Sequence, residues 1–580
     1  MFYRNEYPRP DLVRDNWLNL NGSWAFAFDD NKVGHLEKWF LKHEFDQKIN
    51  VPFAFQTILS GINDPSFHDH LWYQKSLKVP STMRNKRVFL RFEAVDYYAE
   101  VYVNGKLVGS HTGGQTGFGF EITDFLTWEQ ENVVVYAHDP STDEYLPRGK
   151  QYWKEKPESI WYNRTSGIWQ TVWLQALEID YVKHVQITPL YDEGKVEFSI
   201  EVTNASMKPR LILNNKEIDV DFQLTEQNKL VAKYKLFHTE NDFYEKSWSP
   251  DNPYLFDLAI EYGQDRLSTY FGMRKISTKD GRIYLNNRAY YLKLVLDQGY
   301  FRQGLLTPPT IDILKQDILI AKALGFNGAR KHQKVEDKYY LYYADKLGFL
   351  VWGEMASSIK FSELSAKRDM NEWKQVLPRD YNHPSIIAWV PLNESWGVPE
   401  INEDKRQQQH SLDLYYYVKK ADPTRLVISN DGWELTKSDI CAVHNYRHGA
   451  LDDEKMRAQF RHDLSTKEAI LASRPADRPI YAKGFEHRGE PIMLTEFGGI
   501  SLVVDAQGWG YTSVNNSQTL IDEYERILND IANSTALAGY CYTQLYDVEV
   551  EVNGLLTYDR LPKVNPKIIK HLNERFPDYY

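Results

Sequence analysis

Cysteine is nearly absent from this 580-residue chain, with only Cys441 and Cys541, far apart. That excludes a disulfide framework and a zinc pattern, and two small buried hydrophobes are expected instead. No apolar run reaches the roughly eighteen residues of a membrane span. The start, MFYRNEYPRPDLVRDNW, is charged and broken by prolines, so no signal core is read there and a cytoplasmic location is expected. Basic charge is short too. Lys and Arg number 69 against 80 Asp and Glu, for a net charge of -11; with no basic block, nucleic acid is not an expected partner.

Apolar and charged residues, at 42% and 26%, match globular proteins, and the length suggests three or four domains at about 150 residues each. The unusual term is aromatic: 39 Tyr, 27 Phe and 16 Trp. Rings that pack on one face and offer a polar tip suit clefts for sugars, although most of them serve as core.

The rhythm changes near residue 275. Before it, WAFAFDD, RVFLRFEAV, AEVYVNGKLVGSH, NVVVYAHD, QTVWLQAL, VEFSIEVTN and LFDLAIEYG alternate apolar and polar residues between turn clusters, the pattern of strands in β-sandwiches, with Asn104-Gly105 as a hairpin turn. A seam near 178 divides the region into a sandwich over 1–178 and a smaller immunoglobulin-like one over 179–274.

After it, strands alternate with helices. Thr310 to Gly325 predicts a helix, with Thr310 as cap, Ile311, Leu314, Ile318 and Ala321 as its apolar stripe and Gly325 as its stop. Further helices are expected over 336–348, 407–421 and 517–534. Eight apolar runs, YYLKLVLDQ, FNGAR, FLVWGEM, IIAWVPLNE, RLVISND, DICAVHNY, IMLTEFGG and LAGYCYTQLYD, suit parallel strands buried on both faces. The prediction for 275–580 is a (β/α)8 TIM barrel, whose chemistry sits where strands end.

Position then becomes evidence. Run four delivers Asn393 and Glu394, run seven Glu496, run six His444, Asn445 and Tyr446, and run two Arg330. Either glutamate alone reads as an ordinary rim residue, since acids seldom stay buried unpaired. Two glutamates from strands four and seven can flank one scissile bond across the barrel mouth.

These residues resemble glycoside hydrolase family 2, the β-galactosidase and β-glucuronidase family, over nearly the whole chain. VYVNGKLVGSHTGGQTGFGFEIT, RTSGIW, WSPDNPYLF and FGMRKI carry the likeness in the sandwich half; GFNGAR, ADKLGFLVWGE, NHPSIIAWVPLNES and LTEFGG carry it in the barrel half. The resemblance implies a sugar-binding N-terminal jelly roll, an immunoglobulin-like domain and a catalytic barrel. It implies retaining hydrolysis of a terminal β-glycoside, with Glu394 as acid/base and Glu496 as nucleophile. Arg330 and Tyr446 are expected to keep Glu496 ionised and Asn393 to donate to the hydroxyl beside the anomeric carbon; His332, Trp396, Tyr542 and Gln544 complete the expected substrate set. No cofactor is implied, a carbohydrate is the expected partner, and a homo-oligomer is compatible with it.

The departures bear on the sugar. Where the family reads R-x-S-H-Y-P, this chain has RKHQKVED, placing His332 and Gln333 at the Ser and His positions. Glu354 stands where metal-binding members have a ligand, but Ala356 replaces their His, so no catalytic magnesium is expected. Glu551-Val552-Asn553 occupies the N-x-K loop of β-glucuronidases, and acidic Asp547, Glu549 and Glu551 would repel a uronate. A β-galactoside is therefore the leading expectation. A β-glucuronide, with Lys331 and Lys334 supplying charge, or another β-glycoside follows. A silent carbohydrate-binding protein and a metal-dependent barrel hydrolase are the other classes. His68-Asp69-His70 reads as a loop packing feature, and the Gly113-to-Gly119 cluster as sheet-loop bends. Trp352 and Trp389 read as core, Trp396 and Trp433 as pocket.

Overall fold

The computed structural model describes residues 4–450, 452–502 and 508–580. Its N-terminal part is a sandwich of two antiparallel sheets. One has six strands, Gln47–Val51, Gly22–Phe28, His70–Leu77, Glu131–His138, Tyr98–Val103 and Lys106–Thr112 in spatial order; the other has four, Phe118–Glu121, Arg87–Phe92, Val172–Leu177 and Trp17–Asn19. Alternation drives their packing: Val88, Leu90 and Phe92, with Leu174 beside them on the next strand, meet Val133 and Val135 of the other sheet in one buried cluster. Asn104 and Gly105 both take positive φ, 51° and 77°, as a two-residue hairpin turn requires.

The second sandwich pairs a sheet of Val182–Leu190, Lys195–Val202, Lys229–Lys235 and Gln223–Glu226 with one containing Asp265–Phe271, Phe256–Tyr262 and Arg210–Leu213. Leu12–Val13 joins the latter, pairing with Thr269 and Ser268, so the N-terminal segment ties the first sandwich to the second. Arg14 locks the crossing with a buried bidentate pair to Asp265, both contacts 2.8 Å.

Eight parallel strands form the barrel: β1 (Leu292–Asp297), β2 (Gly328–Lys331), β3 (Leu350–Glu354), β4 (Ile386–Val390), β5 (Leu426–Val427), β6 (Cys441–His444), β7 (Ile492–Gly498) and β8 (Leu537–Thr543). Their spatial order is β5-β4-β3-β2-β1-β8-β7-β6. Between β5 and β6 the ring closes through the backbone bond from Asp439 N to Val427 O, 2.8 Å. The expected run RLVISND keeps only two strand residues, because Asn430 and Asp431 leave the ladder to bond the turn after β4.

The helix predicted from Thr310 spans Ile311–Ala323, and Thr310 occupies the cap position without a side-chain cap bond. Helices Lys338–Leu347, Lys405–Ala421 and Ser517–Ala532 lie where expected. A helix at Glu363–Asp380, with Pro378 in its last turn, stands outside the predicted set. No helix among the described residues is long and apolar enough to cross a membrane.

Candidate active site

Arg330, at the end of β2, is wholly buried at the centre of the barrel mouth. Its Nε meets Glu354 Oε2 at 2.7 Å and Asp431 Oδ2 at 3.2 Å; Nη1 donates to Glu496 Oε1 at 2.8 Å and Nη2 to Asn393 Oδ1 at 2.6 Å. One guanidinium thus spans strand ends on four sides of the ring. Burial opposes its charge, but Asp431, Glu354 and Glu496 outweigh it and hold Arg330 above the usual arginine range.

Glu394 and Ser395 follow β4 with φ of 50° and 61°, an arrangement non-glycine residues adopt only where the surroundings impose it. The end of β5 imposes it: Glu394 N bonds Asp431 O at 2.8 Å, Ser395 N bonds Asn430 Oδ1 at 2.9 Å, and Ser395 Oγ bonds Glu434 Oε2 at 2.6 Å. The turn lifts Glu394 into the mouth. Opposite it, Glu496 accepts from Arg330 and, at 2.7 Å, from the Tyr446 hydroxyl. Burial, then Glu496, pushes the Tyr446 phenol upward, so it stays a donor.

Between the glutamates stands His444. Nδ1 lies 2.8 Å from Glu394 Oε1 and 3.4 Å from Glu496 Oε2, while Nε2 lies 3.1 Å from Asp431 Oδ1. Burial alone would lower the imidazole; Glu496, Asp431 and Glu394 overcome it and carry His444 up to about 10. Asp431 moves the other way. Burial would raise it, but Arg330 and His444 hold it down at about 2. One oxygen or nitrogen each from Glu394, His444 and Glu496 lie within 4.8 Å of one another, close enough to share a cation. The imidazole, however, donates from both ring nitrogens, and Glu496 is already held by a guanidinium and a phenol, so this trio is poorly suited to metal ligation.

Glu354 is likewise turned onto protein groups, accepting from Arg330 and from Gln333 N at 3.1 Å. His332 lies 3.1 Å from Glu354 Oε1. Burial, then Arg330 and Lys150, drives it well below its ordinary value, so it is neutral. Asn393 keeps its buried Nδ2 without a protein partner, a donor free for a ligand hydroxyl. Trp396 stacks on Trp161, centroids 4.7 Å apart.

Tyr542 is not brought to the site. On β8 alternate residues face opposite ways, and Tyr542 packs outward against Tyr524 of the Ser517–Ala532 helix and Phe497, while its neighbour Thr543 faces the mouth and meets the Tyr446 hydroxyl at 2.8 Å. Gln544 is buried one layer back, donating to Asn553 Oδ1 at 2.6 Å. Trp433 lies edge-on to His444, whereas Trp352 and Trp389 are core. His68 pairs with Asp30 and stacks on Phe28, and His70 bonds Tyr136, so the H-x-H motif is occupied by packing partners.

Sequence reasoning assigned no part to Asp431 or His444, although both end predicted strands and the same positional rule points to them. Trp161, Tyr162 and Lys150 carried no local signal, since the first sandwich sends them to the barrel through a loop. Tyr162 bonds Glu551, and Asn163 bonds Glu549 through its backbone N and Nδ2, both at 2.9 Å.

Comparisons with known proteins place this architecture. The chain matches the models for the family 2 glycosyl hydrolase sugar binding domain over residues 18–177, the central family 2 domain over 180–274 and the family 2 TIM barrel domain over 276–577. A β-galactosidase of Thermoanaerobacter pseudethanolicus is 27% identical over 68% of this chain, a match spanning 54% of that protein. A β-glucuronidase of Streptococcus agalactiae is 23% identical over 99% of this chain and 98% of its own length. A solved structure of Bifidobacterium dentium β-glucuronidase superposes with a TM-score of 0.80 at 19% identity, covering 98% of both chains, a likeness of fold. With three domain models matched in order along its length, the chain belongs to family 2 of the glycosyl hydrolases.

Proposed function

We propose that the protein is a retaining exo-β-glycosidase. The observation that carries this reading is the placement of Glu394 and Glu496 with facing oxygens within 4.8 Å, in keeping with the roughly 5–5.5 Å carboxyl separation of retaining enzymes. Glu496, turned to the mouth by Arg330 and Tyr446, attacks the anomeric carbon as Glu394 gives its proton to the departing glycosidic oxygen. A glycosyl ester on Glu496 results. Glu394, now a carboxylate, takes a proton from water as that water displaces Glu496 and releases the sugar. The free Asn393 Nδ2 suits the hydroxyl next to the reacting carbon.

The acidic loop, expected to repel an acidic sugar, has its carboxylates paired in the structure. Asp547 bonds Lys563 Nζ at 2.6 Å, Glu549 bonds Asn163, and Glu551 bonds Tyr162 and Asn553, so the loop is not a row of free carboxylates. A β-glucuronide therefore fits at least as well as the β-galactoside expected from the sequence, and relatives carry both names. The test is Glu496→Ala on a panel of nitrophenyl β-glycosides. Turnover is expected to fall at least a thousandfold and recover partly with azide, and a fluoro-sugar is expected to label Glu496 in the parent; near-normal activity of the variant would refute the reading.

A further inference from the structure

Lys150 belongs to the first sandwich yet reaches the barrel mouth. Its side chain is buried, the residue being 6% exposed, and its ammonium has no hydrogen bond or ion pair among the described residues. Its contacts are ring faces: Trp396 with the centroid at 5.1 Å and Tyr162 at 6.0 Å. Cation–π contacts contribute about 0.5–2 kcal/mol, and the ammonium, not itself fully buried, keeps an edge open to solvent. A buried cation is ordinarily paired, and the other buried lysines of this region are. Lys331 Nζ sits 2.7 Å from both Asp297 and Glu336, and Lys334 Nζ bonds Gly299 O, Leu306 O and Glu336. The charge expected of those two lysines for a sugar acid is thus spent inside the barrel.

The placement of Lys150 is built rather than incidental. Gly149 N donates to Ser357 O at 3.0 Å, and a Cβ at Gly149 would come within 2.3 Å of Gln333 O, so the loop backbone lies directly on the barrel rim. Arg148 ties the loop to itself through Pro140 O, Ser141 O and Asp143 O, and Gln151 holds Thr165 N and Asp96. Trp396, two residues beyond Glu394, fixes where the ammonium sits. Glu551 is a nearby carboxylate, but it accepts from Tyr162 and Asn553, and burial pushes it above the usual carboxylate range against the pull of Lys150. It does not satisfy Lys150.

Resting on the glycosidase reading, we propose that Lys150 is the specificity-determining residue of the site and that it pairs with an anionic substituent on the terminal sugar, a uronic acid carboxylate. The sugar enters with its charged group toward the sandwich loop, exchanging water for the ammonium in a site of low dielectric, where such a pair discriminates strongly against a neutral hydroxymethyl group.

The experiment compares kcat/KM for the nitrophenyl β-glucuronide and β-galacturonide, the β-galactoside and β-glucoside, and a 6-phosphorylated β-hexoside. The intact protein is expected to favour a uronide over its neutral counterpart at least tenfold, and Lys150→Gln to lower that ratio about a hundredfold. Free glucuronate should inhibit the unmodified enzyme more strongly than glucose, which keeps the test independent of whether the variant folds. A preference for a neutral glycoside, an unchanged ratio in Lys150→Gln, or faster turnover of the phosphorylated sugar overturns the assignment. Azide rescue of Glu496→Ala, read on whichever glycoside is cleaved, reports on the two-glutamate mechanism separately.

Discussion

His444 Nδ1 sits 2.8 Å from Glu394 Oε1, which puts a buried positive charge against the carboxyl proposed to shuttle the proton. The other charges facing the ring are Glu496 at 3.4 Å, Asp431 at 3.1 Å and, as a like charge, Arg330 Nη1 at 3.2 Å. A cation between two close carboxylates eases their repulsion. Replacing His444 with Asn keeps a hydrogen-bonding side chain but removes the charge. Turnover is then expected to fall about tenfold or more and to lose the alkaline limb near pH 10, where His444 gives up its proton. A variant with the parent's rate and pH profile would make His444 a packing residue only.

The site's centre was readable because barrel strands carry polar residues to one rim. Glu394, Glu496, Arg330 and Tyr446 all end apolar runs, and the structure gathers them. The same rule failed at Tyr542, where one step along a strand reverses the side chain's face and the run LAGYCYTQ, apolar at nearly every position, shows no alternation from which to choose. Lys150 lay beyond its reach altogether. Its role depends on a loop crossing from one domain to another, a long-range contact that leaves no local period in the sequence. The acidic loop carries less weight for a related reason: charge can be counted in sequence, but the partners that satisfy it cannot.

Arg330 sits among three carboxylates with no exposure. Removing one member of a buried ionic cluster leaves the others unpaired, at roughly 3–5 kcal/mol. Arg330→Met is expected to lose activity and to unfold at clearly lower denaturant concentration, whereas Glu496→Ala, which deletes one of the three carboxylates, should shift the midpoint much less. Equal midpoints for Arg330→Met and the parent would show that the cluster does not support the barrel.

The Asp431–His444 pair links stability to pH. Asp431 falls from 3.8 to about 2 in the folded protein, so its contribution is present above the unfolded value and is lost as pH falls toward 2. His444 rises from 6.5 to about 10, so its contribution is full below 6.5 and is lost as pH climbs through 10. The two overlap from about pH 4 to 6.5. Asp431→Asn should therefore cost most in that window, about 2 kcal/mol from the Asp431 shift alone, and progressively less at high pH. Denaturant midpoints of parent and variant at pH 5 and pH 10 check it; a gap that widens with pH would contradict the pairing.

Gly149 tests whether the sandwich loop completes the site. Its φ is +58°, where a side chain costs about 1–2 kcal/mol, and the added methyl would meet the Gln333 carbonyl, a backbone atom on the barrel rim that cannot rotate away. Gly149→Ala must therefore lift the loop from the rim, carrying Lys150 with it and disturbing the face it shares with Trp396. Neither hydrophobic core is touched, so circular dichroism and the thermal midpoint should change little. Binding should suffer more than chemistry, because Glu394, His444 and Glu496 are all held by barrel strands. The expected result is a KM raised about tenfold or more with kcat reduced less. A fall in kcat alone would mean that the loop orders the glutamates rather than the sugar.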